Sequence, residues 1–228
     1  MKCIKILLPA LIQTDEQALM TERCKKSLIS LDHCVKVQLD TKKYDSAVAG
    51  VWNNFLDQWR GKDYDYLMIT ANDTEADANA IDFMARAMEE NPNAGMITGK
   101  VTRDIDDFKK RYGQSEYTGE LDEGLLDPAC FILRKGVIEK VGRIDEYFPC
   151  EFVERDYIYR MKLAGYEIIQ LKEVLWYHPP YAGTIGNDHE RLQRALQRYV
   201  NKWGGDANQE IYRNPFQDLS LDFTYCRK

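Results

Sequence analysis

The sequence predicts an α/β protein whose central, mostly parallel sheet is flanked by helices, and three observations predict it. Apolar strand-like runs at 3–8, 34–39 and 64–70 alternate with stretches whose apolar residues recur every three or four positions. The run 64–70, Tyr-Asp-Tyr-Leu-Met-Ile-Thr, reads as a strand covered on both faces. It delivers an acidic turn, Asn72-Asp73-Thr74, to its own carboxyl end, where open α/β sheets bind their ligands.

The elements follow in order. Strand 3–8 leads into a loop at Pro9-Ala10-Leu11, and a helix over 16–30 aligns Met20, Cys24 and Leu28 on one stripe. Strand 34–39 ends at Asp40. A helix over 45–59, with Val48, Val51, Phe55 and Trp59 as its apolar stripe, returns the chain to the central strand. Right-handed crossovers then set Pro9, Asp40 and Asp73 along one sheet edge. Thr74 or Asp77 is expected to cap the next helix, where Ile81, Met84, Ala85 and Met88 share a face before Asn91-Pro92 stops it. After a short strand at 95–98, the polar region 102–124 reads as a mobile excursion of the kind that covers an active site. The alternation resumes with strand 129–133, helix 135–141, a turn at Gly142, helix 153–164 closed by Gly165, and strands 167–171 and 174–177 ending at His178. A last helix opens at 187–190, carries Leu192, Ala195, Tyr199 and Trp203 on one face, and ends at Gly204-Gly205. The expected division is an α/β domain at 1–182 with a helical and irregular extension at 183–228, in one unit.

Composition narrows the function. A net charge of −6 and a pI near 5.2 argue against a nucleic-acid partner, which needs clustered cations to displace counterions. Lys109-Lys110-Arg111 stands among Asp104, Asp106 and Asp107 and reads as a solvated face. Six cysteines lack zinc spacing, so they read as reduced thiols of a cytoplasmic protein, in the host cytoplasm if the source is a virus. No apolar run approaches the roughly 18 residues of a membrane span. Glycine-rich phosphate loops are also missing: no GxGxxG follows a strand, which argues against dinucleotide-dependent dehydrogenases and, after strand one, against nucleotidyltransferases.

Three further pieces carry chemistry: the carboxylates of Glu151-Phe152-Val153-Glu154-Arg155-Asp156 at a helix start, His178 after an apolar strand, and the set Pro9, Asp40 and Asn53 at the sheet edge. Taken alone, an acid before or within a first helical turn is often only a cap or dipole partner. Taken together, their order resembles the inverting family 2 glycosyltransferases of GT-A fold. The resemblance rests on residues 67–77, similar to that family's LLNNDT segment, and on a longer block over 126–179. There Pro128-Ala129-Cys130-Phe131-Ile132-Leu133-Arg134, Val141-Gly142-Arg143-Ile144-Asp145-Glu146-Tyr147-Phe148, Glu154-Arg155-Asp156, Arg160, Leu163-Ala164-Gly165-Tyr166 and Tyr177-His178 follow the family's succession.

That resemblance implies transfer of a hexosyl or deoxyhexosyl unit from a nucleotide diphosphate donor, a UDP-sugar, to an acceptor hydroxyl with inversion, assisted by Mn2+ or Mg2+. It implies that Asp73 binds the ion, with His178 as a second metal or diphosphate ligand. Asp40 would bond the base, Pro9 and Ala10 would wall it, and Asn72 and Asn53 would lie on the nucleotide side. Glu154 falls at the catalytic-base position, with Asp156 as its nearest rival. The first acid of the family's Asp-x-Asp motif is Ala71 here, and the base is Glu where the family has Asp. The alternative is therefore an impaired relative that binds nucleotide sugars or carbohydrate without turnover. Acceptor contacts are expected from the 102–124 region and from Tyr199 and Trp203 of the extension.

Overall fold

The structure is a computed structural model that describes residues 2–43, 47–122, 126–148, 150–180, 189–207 and 209–210. Phe216, Cys226 and the rest of the expected extension after residue 210 lie outside the described residues. In chain order the elements are β1 (Cys3–Pro9), α1 (Asp15–Ser27), β2 (Cys34–Asp40), α2 (Ala47–Trp59), β3 (Tyr66–Thr70), β4 (Glu75–Ala76), α3 (Ala80–Glu90), β5 (Ala94–Thr102), α4 (Ile105–Arg111), β6 (Cys130–Arg134), α5 (Gly136–Val141), α6 (Val153–Leu163), β7 (Glu167–Tyr177) and α7 (His189–Trp203).

The seven strands form one sheet in the order β2-β1-β3-β6-β5-β7-β4. Its first half is parallel as the sequence predicts, β1 pairing with both β2 and β3. The second half is mixed. β6 runs antiparallel to β3 and β5, β5 is parallel to β7, and β4 is antiparallel to β7. The strands expected at 167–171 and 174–177 are one strand, β7, which stays paired with β5 through register shifts at Ala94/Met96 and Gly99/Lys100. Gly99 permits the close approach, since a Cβ there would lie 2.3 Å from Val174 Cγ1.

Helices start where local chemistry allows. Thr14 and Gln17 form a capping box on α1, Gln17 N donating to Thr14 Oγ1 at 3.2 Å while Gln17 Oε1 accepts from Thr14 N. The caps expected for α3 are corrected. Glu75 and Ala76 are drawn into the sheet as β4, so the helix begins after Asn79 without a side-chain cap. Asp77 Oδ1 instead accepts from Gly113 N at 2.6 Å.

That bond belongs to a second correction. The described part of the region expected to be a mobile excursion is a short helix, α4, followed by a strap stitched to β7 and α3. Glu173 Oε1 accepts from Gly119 N at 2.7 Å, Asp122 N donates to Gln170 O at 2.8 Å, and Tyr117 Oη donates to Glu90 Oε2 at 2.6 Å. Buried carboxylates that satisfy loop amides hold this polar segment in place.

Apolar side chains cover both sheet faces. α1 and α3 close one side around Cys24, Ile81, Met84 and Met88, while α2, α5, α6 and α7 close the other around Trp52, Phe55, Phe148 and Tyr157. Tyr199 and Trp203 of α7 belong to this second cluster, each 0% exposed.

A buried charge network fastens α7. Asp156 accepts from Arg160 Nε at 2.9 Å, from Trp203 Nε1 at 3.0 Å and from Lys202 Nζ, and Lys202 reaches on to Asp145 Oδ2 at 2.7 Å. Breaking one partner of such a network leaves the others charged in a dry site. Asp156→Ala is therefore expected to lower unfolding free energy by about 3–5 kcal/mol in a urea titration. A chain shortened to end at Gly186 uncovers the same side of the core, so size-exclusion chromatography should find it aggregated rather than a soluble donor-binding domain.

Candidate active site

One cavity of about 580 Å³ opens at the carboxyl ends of β1, β2 and β3. The sheet's direction change completes it. Because β6 runs against β3, its first residues meet the exit of β3, and Ala71 N donates to Ala129 O at 2.9 Å. Asp127 and Pro128 thereby join Ala71, Asn72 and Asp73 in the cavity wall.

Pro9 and Asp40 are register partners at the ends of β1 and β2, and Ala10 N donates to the Asp40 carbonyl at 2.9 Å. Asp40 is 7% exposed, and its Oδ1 accepts from Lys42 N at 2.9 Å. Pro9, Ala10, Val48, Val51 and Trp52 supply an apolar surface beside it. A slot with apolar walls and a single carboxylate suits a flat ring that presents an N–H.

Asp73 is buried after β3, with Oδ1 3.2 Å from His178 Nε2. His178 follows β7, its backbone fixed by a bond from its N–H to Thr102 O at 3.0 Å and by Arg103 Nη1, which donates to its carbonyl at 3.3 Å. Asn72 Nδ2 donates to Thr21 Oγ1 at 2.9 Å and so ties the turn to α1. Beneath it, Thr70, Thr74, Cys24 and Cys130 form a buried hydroxyl and thiol cluster, with Thr70 Oγ1 2.9 Å from Thr74 Oγ1 and 2.8 Å from Cys130 Sγ. Burial pushes the Cys24 thiol up to about 12, which makes it a packing group rather than a nucleophile.

Asp73 and His178 fit a divalent ion as two of its ligands. A carboxylate oxygen beside an imidazole nitrogen is a donor set that Mn2+ or Mg2+ accepts, and these two residues would hold it. No group of three or more His, Cys, Asp or Glu with metal-binding geometry occurs among the described residues. Phosphate oxygens and water would fill the remaining positions, as is usual for Mg2+ bound with a nucleotide.

Glu154 enters from the first turn of α6, half-buried at the cavity wall. Burial pushes its carboxyl above the ordinary range. Asp127 and Glu151 push the same way, while its own backbone N–H and Arg155 oppose them. α6 begins from a strained residue: Phe152 has φ 62°, left-handed for a non-glycine, and its ring packs 5.3 Å from that of Tyr199.

Four expected site residues do not line the cavity. Asn53, 1% exposed, clamps Ile144 through both amide atoms, Nδ2 donating to its carbonyl at 3.0 Å and Oδ1 accepting from its N–H at 2.7 Å. Asp156 is spent in the network that holds α7. Tyr199 and Trp203 face inward, Tyr199 Oη donating to Glu210 Oε1 at 2.6 Å, so they offer no accessible acceptor surface. No described residue of 102–122 lines the cavity either. Conversely, sequence reasoning missed Asp127 and Arg191, which do. An Asp-Pro step just before a strand at the ligand edge was a signal for Asp127. An arginine on the polar side of an amphipathic helix gave none for Arg191, which pairs with Glu151 at 2.5 Å.

No family model and no curated protein matches the chain. Among solved structures, it is similar to the mannosyltransferase PcManGT from Pyrobaculum calidifontis in complex with GDP-Man and Mn2+, at 14% identity over 90% of this chain and 65% of that one, with a TM-score of 0.53. It also matches S. aureus TarS 1–349, at 13% identity, 88% and 66% coverage and a TM-score of 0.48, and TarS 1–349 in complex with UDP-GlcNAc, at 12%, 88%, 67% and 0.49. The chain thus spans about two thirds of the length of these structures. At this identity the mannosyltransferase likeness establishes the fold, a GT-A-like α/β architecture, as the sequence predicts.

The environment of Glu154 has a consequence for stability. A carboxyl raised in the folded state binds its proton more tightly there than in the unfolded chain, so ionising it opposes folding. That penalty is fully present above the raised value and vanishes below the ordinary value of 4.5. Glu154→Gln should accordingly melt at a higher temperature than the wild type at pH 8, and the two should converge at pH 4 in a calorimetric series.

Proposed function

We propose that this protein is a glycosyltransferase that moves a hexosyl or deoxyhexosyl unit from a nucleotide diphosphate donor, a UDP-sugar, to an acceptor hydroxyl with inversion. The observation that carries the reading is the gathering of three chemically distinct groups in one cavity. These are the Asp73 and His178 pair, the slot of Asp40 with Pro9 and Ala10, and the half-buried Glu154. A neighbour of the same fold in complex with GDP-Man and Mn2+ supports a nucleotide sugar and a divalent ion.

Asp40 accepts from the base, and Pro9 with Ala10 walls it. Asp73 and His178 would hold Mn2+ or Mg2+, which supplies positive charge to the departing diphosphate. Glu154 takes the proton of the acceptor hydroxyl as that oxygen bonds to the anomeric carbon. The bond from that carbon to the diphosphate oxygen breaks with its electron pair on the leaving group. Attack from the far side inverts the centre in one displacement, so one base is enough and no protein nucleophile is needed. The raised carboxyl makes Glu154 a stronger base than an exposed glutamate. A second reading, donor binding without turnover, draws on Ala71, which lines the cavity where the resembled family carries an acid.

Two variants test the assignment. Glu154→Gln keeps the shape and removes the proton acceptor, so kcat should fall by about 10²–10⁴ with nucleotide affinity retained. The wild-type rate should decline as pH drops through a value above 4.5, because only the ionised carboxylate can accept a proton. Asp73→Ala should remove the Mn2+ dependence of UDP binding in titration calorimetry, and His178→Ala should weaken it less. Unchanged Mn2+ dependence in Asp73→Ala would place the ion elsewhere. Tight UDP-sugar binding with no turnover against any acceptor or water would select the second reading.

A further inference from the structure

Asp127 lines the cavity but has no part in the chemistry derived above. Its position is enforced. The following Pro128 bars it from helical backbone, and the antiparallel start of β6 carries it beside the exit of β3. Arg103 Nη2 donates to its Oδ2 at 2.9 Å, while Nη1 of the same guanidinium holds the carbonyl of His178 at 3.3 Å. The Arg103 and Asp127 side chains are 47% and 39% exposed, and ion pairs that wet contribute little to stability. What the contact does is aim a carboxylate. Only Oδ2 is taken up in it.

We propose that Asp127 and Glu154 together receive two hydroxyls of one acceptor, Glu154 the one that attacks and Asp127 another on the same ring, so that the acceptor is a neutral sugar or polyol. The inference rests on the glycosyl-transfer reading. A carboxylate is an acceptor-only group with lone pairs to spare, and a hydroxyl is the neutral donor that matches it. Lys42, Lys43 and Arg191 share the cavity lining, so selection lies in the acids' lone pairs: neither offers a donor to an anionic substituent, and both match a polyhydroxylated neutral ring. The charged groups that bear on Glu154 are consistent with this pairing. Asp127 and Glu151 raise its basicity, Arg155 lowers it, and Arg191 is paired with Glu151. Asp127 thus both grips the acceptor and strengthens the base.

The test uses the full chain with a UDP-sugar, Mn2+ and, as acceptor probes, the methyl pyranosides of glucose, mannose and galactose, with water as the competing acceptor. Asp127→Asn is expected to raise the ratio of donor hydrolysis to transfer by tenfold or more, mainly through KM for the glycoside. It should also move the acidic limb of the transfer rate to lower pH, because a negative charge near Glu154 is gone. The proposal is overturned if Asp127→Asn leaves the ratio within twofold of wild type, or if it changes the ratio through kcat alone with KM for the glycoside unmoved, which would reduce Asp127 to a partner for arginine. Wild-type hydrolysis without transfer to any of the three glycosides would also overturn it. Failure of the wild type to hydrolyse or transfer at all would instead sink the glycosyl-transfer reading itself.

Discussion

The antiparallel seating of β6 between β3 and β5 is the constraint on which the site depends. A purely parallel sheet would bring every strand start to the face opposite the ligand edge. Reversing one central strand delivers its start, with Asp127 and Pro128, to the edge where β1, β2 and β3 end. The cavity therefore has walls of two origins. Pro9, Asp40 and Asp73 stand on strand exits, whereas Asp127 stands on a strand start and Glu154 on a helix start.

Glu154 illustrates how the fold holds an unfavourable group in place. A carboxylate at a half-buried wall opposes folding, and a left-handed Phe152 just before it adds backbone strain. Neither persists unless the surrounding structure over-determines it. That surplus comes from α6 itself, whose Asp156 and Arg160 are locked beneath α7, and from the packing of Phe152 on Tyr199. Residues two apart on a helix point about 200° apart, so Glu154 facing the cavity requires Asp156 to face the core. One acid does chemistry in the proposed reaction because the other does architecture.

Much of this was legible in the sequence, and the parts that were not share a cause. β1, α1, β2, α2 and β3 announce themselves through apolar runs and stripes, and the acidic turn after β3 points at the cavity. Strand direction is different: a five-residue apolar run such as 129–133 reads the same in either sense, so the mixed half of the sheet stayed hidden. A two-residue strand such as β4 lies below any periodic signal. The amphipathic stripe of α7 was read correctly as a stripe, yet periodicity does not say whether it meets a ligand or the core, and Tyr199 and Trp203 turned out to meet the core. The strap after α4 looked like a free loop because its anchors, Asp77 and Glu173, are distant in sequence. Asn53 likewise looked like a ligand contact because its partner, Ile144, is 91 residues away.

The network of Asp145, Asp156, Arg160 and Lys202 has two acids and two bases with side chains between 0% and 7% exposed. Its formal charges cancel locally, and mobile ions cannot enter to screen it. Other ion pairs, such as Lys172 with Glu120 or Arg86 with Glu90, are open to water and weaken as ionic strength rises. Raising salt therefore loosens the periphery of the molecule while the seam between α6 and α7 keeps its grip. The helix that carries Glu154 is in this sense insulated from the ionic composition of its surroundings.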